Sequence, residues 1–296
     1  MAALKLKALL GDYPNTKALK EGKVTSNLVQ SDFQPFENGA VPHDFFKQMV
    51  AGEYDWGELA MMTVLQALSY GYPIVALPVA LHGRMQHGQI CYNSERGLLK
   101  PEDLPGKKVG ERTHSQTTPT WVRGILQNDF GVDLSKINFV AQIPGHVPEY
   151  QEPSNVTRAD KGKKLVQMLI DGEIDAMVGA ADQDPRFKTL VPDPVAAGNA
   201  WHKKNGTLMV NHVVIVKASL AKEHPEVVRD IYRMLKESRA AANEPAPKDG
   251  IEKRPIGMSM VKKDFEIAAK YAWQQRILAK ELTADTLFDA TTRTLD

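Results

Sequence analysis

Cysteine is nearly absent from this chain, which has one, Cys91, among 296 residues. A single cysteine forms no internal disulfide and supplies no thiolate pair for a structural zinc site. Long apolar runs are absent as well. The longest, residues 72–81, contains two prolines and is about half the length of a membrane-spanning helix. We therefore expect neither a disulfide scaffold nor a membrane protein.

Neither charge is in excess, because 37 lysines and arginines face 36 aspartates and glutamates, a net charge of +1. Such a balance produces no broad field for nucleic-acid phosphates or anionic lipids, so we expect no nucleic-acid and no membrane partner. At the start of the chain, Lys5 and Lys7 interrupt the apolar residues before a secretory signal can form. The expected compartment is the cytoplasm, or the periplasm if an export signal has been removed.

Several motifs of known chemistry are missing too. The chain has no HxxxH or HExxH pair, no glycine-rich phosphate loop and no G-x-S-x-G elbow. His82, His87 and His114 could be grouped as metal ligands, but their spacing does not support a metal site. We therefore expect no metal and no cofactor, which leaves a small-molecule enzyme or binding protein.

What is present is an ordinary globular composition, with 43% hydrophobic and 25% charged residues. The length suffices for two domains or lobes. Hydrophobic periodicity alternates between strands, such as residues 4–10 and 73–81, and helices, such as residues 118–131. That helix is predicted to begin with Thr118 as the N-cap and Pro119 as the first helical residue. The alternation predicts an α/β fold with a largely parallel sheet.

The order of these elements predicts a discontinuous first lobe and an inserted second lobe. The chain crosses near residues 78–88 and again near residues 207–213, so we place the first lobe at 1–82 and 213–296 and the second at 83–212. Open parallel sheets bind ligands outside the carboxyl ends of their strands. We therefore expect the ligand in a cleft between the lobes.

Four segments resemble the 4,5-dihydroxyphthalate decarboxylase family and its substrate-binding-protein-like relatives. They read PEDLPGKKVG at residues 101–110, WVRGIL at 121–126, DGEIDA at 171–176 and NHVV at 211–214. The similarity extends over roughly residues 4–240. It implies a two-lobed fold like that of type II periplasmic binding proteins, with decarboxylation as the characterised activity.

One segment departs from that family. Where the phthalate decarboxylases typically carry Arg-x-Phe-Arg-His-Ser, this chain has GRMQHG at residues 83–88. His87 is retained, whereas Gln86 replaces an arginine and Gly88 a serine. A glutamine cannot grip a carboxylate as a guanidinium does, so the bound acid is expected to differ unless Arg84 compensates.

The candidate site residues lie on the crossings and at predicted strand ends. The catalytic candidates are His87, His212 and Glu58. The substrate-binding candidates are Asp12, Tyr13, Arg84, Arg112, Thr117, Thr118, Arg123, His146 and Asn211.

Each candidate also has a purely structural interpretation. Arg123 either reaches a substrate carboxylate or braces the neighbouring strand. Thr117 and Thr118 either bind an anion at a helix N-terminus or cap the helix. His212, flanked by apolar strand residues, is either a catalytic group or a hydrogen-bonded core histidine.

Aromatic decarboxylation suggests how the candidates would act. A hydroxylated ring can accept a proton at the carbon that bears the carboxylate, so no organic cofactor is needed. We expect His87 to donate that proton and His212 or Glu58 to deprotonate the phenol, with a small aromatic carboxylate as the partner. The alternatives are a solute-binding protein of an ABC-type uptake system and a sensor domain, and a homo-oligomer is left open.

Overall fold

Two compact units make up the computed structural model, which describes residues 3–296. The first contains the chain up to Arg84, Val210–Lys270 and Leu278–Asp296, and the second contains Met85–Met209 and Tyr271–Ile277. The division therefore falls at 84/85 and 209/210, where the sequence places it at 82/83 and 212/213. The periodicity contains no sign that residues 271–277 join the second unit.

The strands and helices follow one another in chain order. The strands are β1 Leu4–Leu9, β2 Val29–Phe33, β3 Trp56–Ala60, β4 Ile74–Gly83, β5 Ile90–Asn93, β6 Lys108–Glu111, β7 Asn138–Ala141, β8 Val156–Arg158, β9 Ala176–Val178, β10 Phe187–Thr189 and β11 Val210–Lys217. The helices are α1 Pro14–Lys20, α2 Phe46–Val50, α3 Met61–Ser69, α4 Thr117–Asp129, α5 Leu165–Asp171, α6 Pro194–Asn205, α7 Ala218–Glu223, α8 Pro225–Ala241, α9 Met258–Gln274 and α10 Ala284–Leu287.

Each unit has one sheet in which a single strand runs against all the others, so both the α/β class and the largely parallel arrangement are confirmed. The first sheet has the order β2-β1-β3-β11-β4, and β11 is antiparallel to both of its neighbours. The second has the order β10-β5-β9-β6-β7-β8, with β5 antiparallel to β9 and β10. Hydrophobic periodicity reports that a strand is buried but not its direction, so the sequence does not identify β5 and β11 as the reversed strands.

Helix α4 begins earlier than predicted. Its N-cap is Gln116, whose carbonyl accepts the Thr120 amide at 3.1 Å, so Thr118 is the second helical residue and Pro119 the third. Proline is tolerated there because the first-turn amides have no partner within the helix. No helix in residues 3–296 combines the length and apolar character needed to cross a membrane.

Apolar side chains on regularly spaced positions form a separate core in each unit. In the first unit, Val228, Ile231 and Leu235 of α8 lie on one helical face and join a cluster with Leu77 and Val214 of the sheet. In the second, a further cluster combines β6, β7 and α4 residues with those of other elements. Each unit therefore carries a buried sheet whose strand ends can be held rigidly.

Gly57 precedes Glu58 in β3 and has a backbone φ of +147°. A Cβ at this position would lie 2.1 Å from the carbonyl oxygen of Leu9, the residue paired with Gly57 in β1. Only glycine therefore allows β1 and β3 to approach as they do.

We predict that Gly57→Ala lowers the free energy of unfolding by at least about 2 kcal/mol, since backbone strain and overpacking combine. Denaturant unfolding measures the effect. Gly71→Ala is the matched control, because Gly71 also has a positive φ, +86°, but no atom lies within 4 Å of the added Cβ. That control should lose only about 1–2 kcal/mol, and an equal loss in both variants would contradict the close-approach argument.

Candidate functional site

Strand register brings three ionisable side chains together at one end of the strands of the first sheet. Strands β1, β3 and β4 run in the same direction and finish at this end, where the antiparallel β11 begins. His212 lies opposite His82, and Val214, two residues further along, lies opposite Glu58. Residues two apart in a strand share a face, so Glu58, His82 and His212 project from the same side.

Glu58 is fully buried, and three groups donate to its carboxylate. The Tyr13 hydroxyl donates to Oε1 at 2.7 Å, His212 Nδ1 lies 2.5 Å from the same oxygen, and the Gly11 amide donates to Oε2 at 2.9 Å. Burial acts to raise the pKa of Glu58, but these hydrogen bonds and the charge of His212 outweigh it, so the pKa lies below its ordinary value. Glu58 is therefore a carboxylate at neutral pH.

Tyr13 follows β1 and acts as a donor to that carboxylate. Burial, followed by the negative charge of Glu58, raises the pKa of the Tyr13 hydroxyl. The phenol therefore keeps its proton at neutral pH and holds the Glu58 Oε1 atom in place. Its ring also meets His82 edge to face, with ring centroids 5.7 Å apart.

The two histidine rings contact one another at an interplanar angle of 52°, with ring centroids 4.4 Å apart. Phe46 packs edge to face on His212 at 5.3 Å, so the His212 ring is held between an aromatic ring and a second imidazole. Burial, followed by the charge of His212, lowers the pKa of His82 to about 4. The site therefore contains an imidazole bonded to a carboxylate beside an imidazole that is neutral at pH 7.

Metal ligation is also within reach of this group. Glu58, His82 and His212 each offer one ligand atom, and these atoms lie within 4.8 Å of one another. The expectation of no metal rested on local spacing, and these residues are too far apart in sequence to form a local motif. His82 is missing from the predicted site for the same reason, although its position at the end of a buried strand was a usable signal.

The remaining candidates in the first unit lie near this group. Asp12 is exposed and pairs with Lys20, and Arg84 is exposed two residues beyond His82, on which its charge acts. Asn211 is buried beside His212. Their proposed contacts with substrate stay predictions.

Arg123 lies in the second unit, where it is bonded to protein groups. It is 1% exposed and pairs with Glu111, which is fully buried. Its Nε donates to Gln275 at 2.8 Å and its Nη2 to the His114 carbonyl at 2.5 Å. These contacts match the bracing alternative rather than substrate binding. Sequence reasoning missed Glu111 and Gln275, because no local pattern links them to Arg123.

His87 is buried in the second unit and packs near Gly198 of α6. Burial lowers the pKa of His87 to about 4, so its imidazole is neutral at pH 7 and a poor proton donor there. The donor role assigned to His87 from the sequence stays a prediction. Other second-unit candidates lie in loops and at the start of α4, and their roles stay predictions: Arg112, Thr117, Thr118 and His146.

Comparison with curated proteins finds two relatives with one name, while no family model matches the chain. A 4,5-dihydroxyphthalate decarboxylase of Comamonas testosteroni is 26% identical over 256 residues, which cover 82% of this chain and 77% of the relative. A protein of the same name from Pseudomonas putida is 26% identical over 217 residues, covering 69% and 83%. The resemblance to this family is therefore confirmed.

Comparison with solved structures finds periplasmic binding proteins. The alkanesulfonate-binding protein SsuA from Xanthomonas axonopodis pv. citri, bound to MOPS, has a TM-score of 0.53 at 14% identity and covers 98% of this chain and 99% of that chain. The aliphatic sulphonate binding protein SsuA from Escherichia coli has a TM-score of 0.56 at 12% identity, covering 96% and 92%. These likenesses confirm the periplasmic-binding-protein-like fold.

We predict that Arg123→Met lowers the free energy of unfolding by about 3–5 kcal/mol, because it leaves the Glu111 carboxylate buried without its cation. Thermal or denaturant unfolding measures this loss. Arg158→Met, which breaks the partly exposed pair with Glu152, should cost less than about 1 kcal/mol. Adding Glu111→Gln to Arg123→Met should recover part of the loss. A stable Arg123→Met protein with weakened ligand binding would instead restore the substrate-binding interpretation.

We predict that His87 makes the protein less stable as the pH falls from 7 to 4. The unfolded histidine binds a proton near its ordinary pKa of 6.5, whereas the folded one does so only near 4. Protonation therefore favours the unfolded state across this range, by up to about 3 kcal/mol at pH 4.

Denaturant unfolding at several pH values tests this linkage. His87→Gln should lose less stability between pH 7 and 4 than the wild type, whereas His224→Gln, at an exposed histidine, should follow the wild type. Identical pH dependence in His87→Gln and wild type would show that His87 is not the group responsible.

Proposed function

We propose that this chain is a cofactor-independent decarboxylase of a hydroxylated aromatic carboxylate of the 4,5-dihydroxyphthalate type. The observation that carries the proposal is the similarity to two proteins of that name, which reaches 82% of this chain for one of them. The hydrogen-bonded group of Tyr13, Glu58 and His212 adds support, because it offers an oriented imidazole where a ligand of this fold class is expected.

The reaction needs a proton for the ring carbon that bears the carboxylate, and a ring hydroxyl whose electron pair can move into the ring. A base removes the proton of a ring hydroxyl placed ortho or para to the carboxylate, and the electron pair moves into the ring as an acid protonates the carboxylate-bearing carbon. The carbon–carboxylate bond then breaks, its electrons restore the aromatic ring and CO₂ leaves. The net change replaces the carboxylate by a hydrogen, so the site must supply both an acid and a base.

His212 is our candidate for the acid. Its Nδ1 faces Glu58, so its Nε2 is the atom that remains for a substrate. The Glu58 carboxylate fixes the orientation of the His212 ring, as a carboxylate does for a catalytic histidine in hydrolases. Glu58 and Tyr13 therefore act as positioning residues rather than as proton donors to the ring.

His82 is our candidate for the base. Its ring centroid lies 4.4 Å from that of His212, so His82 is placed to accept a proton from a ring hydroxyl while His212 protonates the ring carbon. Arg84, two residues further along, is the first-unit cation that we propose for a substrate carboxylate. Its guanidinium would take over the role of the arginine that Gln86 replaces.

Several finer expectations remain part of the proposal. The substrate is a small aromatic acid, and the cytoplasm is the expected compartment. Participation in aromatic-compound degradation follows from this chemistry. A homo-oligomer stays an open expectation.

A matched substrate series tests the activity. We expect the purified protein to release CO₂ from phthalates with a ring hydroxyl and not from unsubstituted phthalate, because only the hydroxyl opens the electron path. Glu58→Gln and His212→Gln should each lower kcat by about 10²–10⁴-fold if the acid is lost. The control His224→Gln changes an exposed histidine outside this group and should keep wild-type kcat.

The same assay separates the alternatives when thermal stabilisation by each acid is recorded alongside CO₂ release. Stabilisation without CO₂ from any hydroxylated acid would contradict the decarboxylase and favour the solute-binding protein. Full activity in His212→Gln would leave the reaction class standing but remove His212 as the acid.

A further inference from the structure

Three strands of the first sheet bring one carboxylate and two imidazoles together. Glu58 comes from β3, His82 from β4 and His212 from β11, and their ligand atoms lie within 4.8 Å of one another. We propose that these three side chains form a binding site for a divalent transition metal such as Zn²⁺, and that the metal excludes the decarboxylation reaction by occupying the same donor atoms.

The geometry is close to what such an ion requires. Zinc binds imidazole nitrogen at about 2.0–2.1 Å and carboxylate oxygen at about 2.0–2.2 Å. Tetrahedral ligands at those distances are separated by about 3.4 Å. The three donors lie within 4.8 Å of one another, so side-chain rotation has to shorten their longest separation by at most about 1.4 Å to reach this value.

The surrounding hydrogen bonds prepare the carboxylate for this role. The Gly11 amide holds Glu58 Oε2 and the Tyr13 hydroxyl holds Oε1, so the carboxylate cannot rotate freely. Hydrogen bonds of this kind orient the ligands of known metal sites. The site is also reachable, since the His212 side chain is 21% exposed.

The donor atoms favour metals that bind nitrogen. Glu58 offers one carboxylate oxygen, whereas His82 and His212 offer one imidazole nitrogen each. Mg²⁺ and Ca²⁺ depend on several oxygen ligands and would gain little here. Zn²⁺, Co²⁺ and Ni²⁺ bind imidazole well, so we expect these ions to be selected.

Competition with catalysis follows from the shared atoms. The hydrogen bond between His212 Nδ1 and Glu58 Oε1 orients the proposed acid. A metal on Glu58 and either nitrogen of His212 removes that hydrogen bond or blocks the nitrogen that faces the substrate. This inhibitory part rests on the proposed function, whereas the binding part does not.

Calorimetric titration without substrate tests the site. Untagged protein stripped with chelator and then dialysed is titrated with ZnCl₂ and, separately, with MgCl₂. We expect one zinc per chain and no heat from magnesium, with at least tenfold weaker zinc binding in Glu58→Gln, His82→Gln and His212→Gln. Melting temperatures without metal show that each variant is folded.

Two controls and one activity measurement complete the test. His224→Gln and Cys91→Ser, which alter an exposed histidine and the buried cysteine, should bind zinc like the wild type. Loss of binding in either control, or unchanged binding in all three site variants, would overturn the site. Zinc should suppress CO₂ release by the wild type, and an activity that disappears on stripping and returns with zinc would overturn the competition. A protein that binds zinc but releases no CO₂ from any acid would contradict the proposed function alone.

Discussion

The buried carboxylate of Glu58 is the constraint on which the candidate site of the first unit depends. Removing an ionised group from water costs several kcal/mol of folding free energy unless charges or hydrogen bonds replace its hydration. Here the replacements come from Gly11, Tyr13 and His212, that is, from the loop after β1 and from β11. The requirement to satisfy one carboxylate therefore fixes the relative positions of chain segments that are about two hundred residues apart.

The second unit also contains a buried carboxylate, which is paired with different residues. Glu111 ends β6 as a fully buried carboxylate, and it is satisfied by His114 and Arg123. There the cation is Arg123, an arginine, which cannot lose its charge. Its Nε donates a hydrogen bond to Gln275, so its hydrogen-bonding groups are used within the protein. In the first unit, the partner of the buried carboxylate is His212, and a histidine can exchange a proton. This difference is why we place the chemistry at Glu58 and a structural role at Glu111.

Hydrophobic periodicity and helix-start residues in the sequence were sufficient to predict the main elements of the fold. The strands predicted at residues 4–10 and 73–81 appear as β1 and β4 with nearly the same bounds. The direction of β11 was not predictable, because a strand has the same alternation whether it runs up or down a sheet. The start of α4 was misplaced because proline fits several positions of a first turn.

The site was predicted in part, and the missing parts share a cause. Glu58, Tyr13 and His212 could be named from their positions at strand ends. The partners that define their chemistry could not, since His82 meets His212 only through strand register and Glu111 meets Arg123 only through tertiary packing. Local patterns identify residues able to do chemistry, whereas burial and pairing decide whether they do.

The position of β11 also governs the order in which the protein can be made. This strand lies between β3 and β4, yet it follows them by more than a hundred residues. A nascent chain that has emerged only as far as the second unit therefore has β3 and β4 without the strand that joins them. The second unit can fold as soon as its own strands are synthesised, apart from residues 271–277, while the first must wait for Val210–Lys217. During synthesis β4 and the side of β3 that faces β11 stay unpaired, which makes this interval the one in which the chain most needs protection from aggregation.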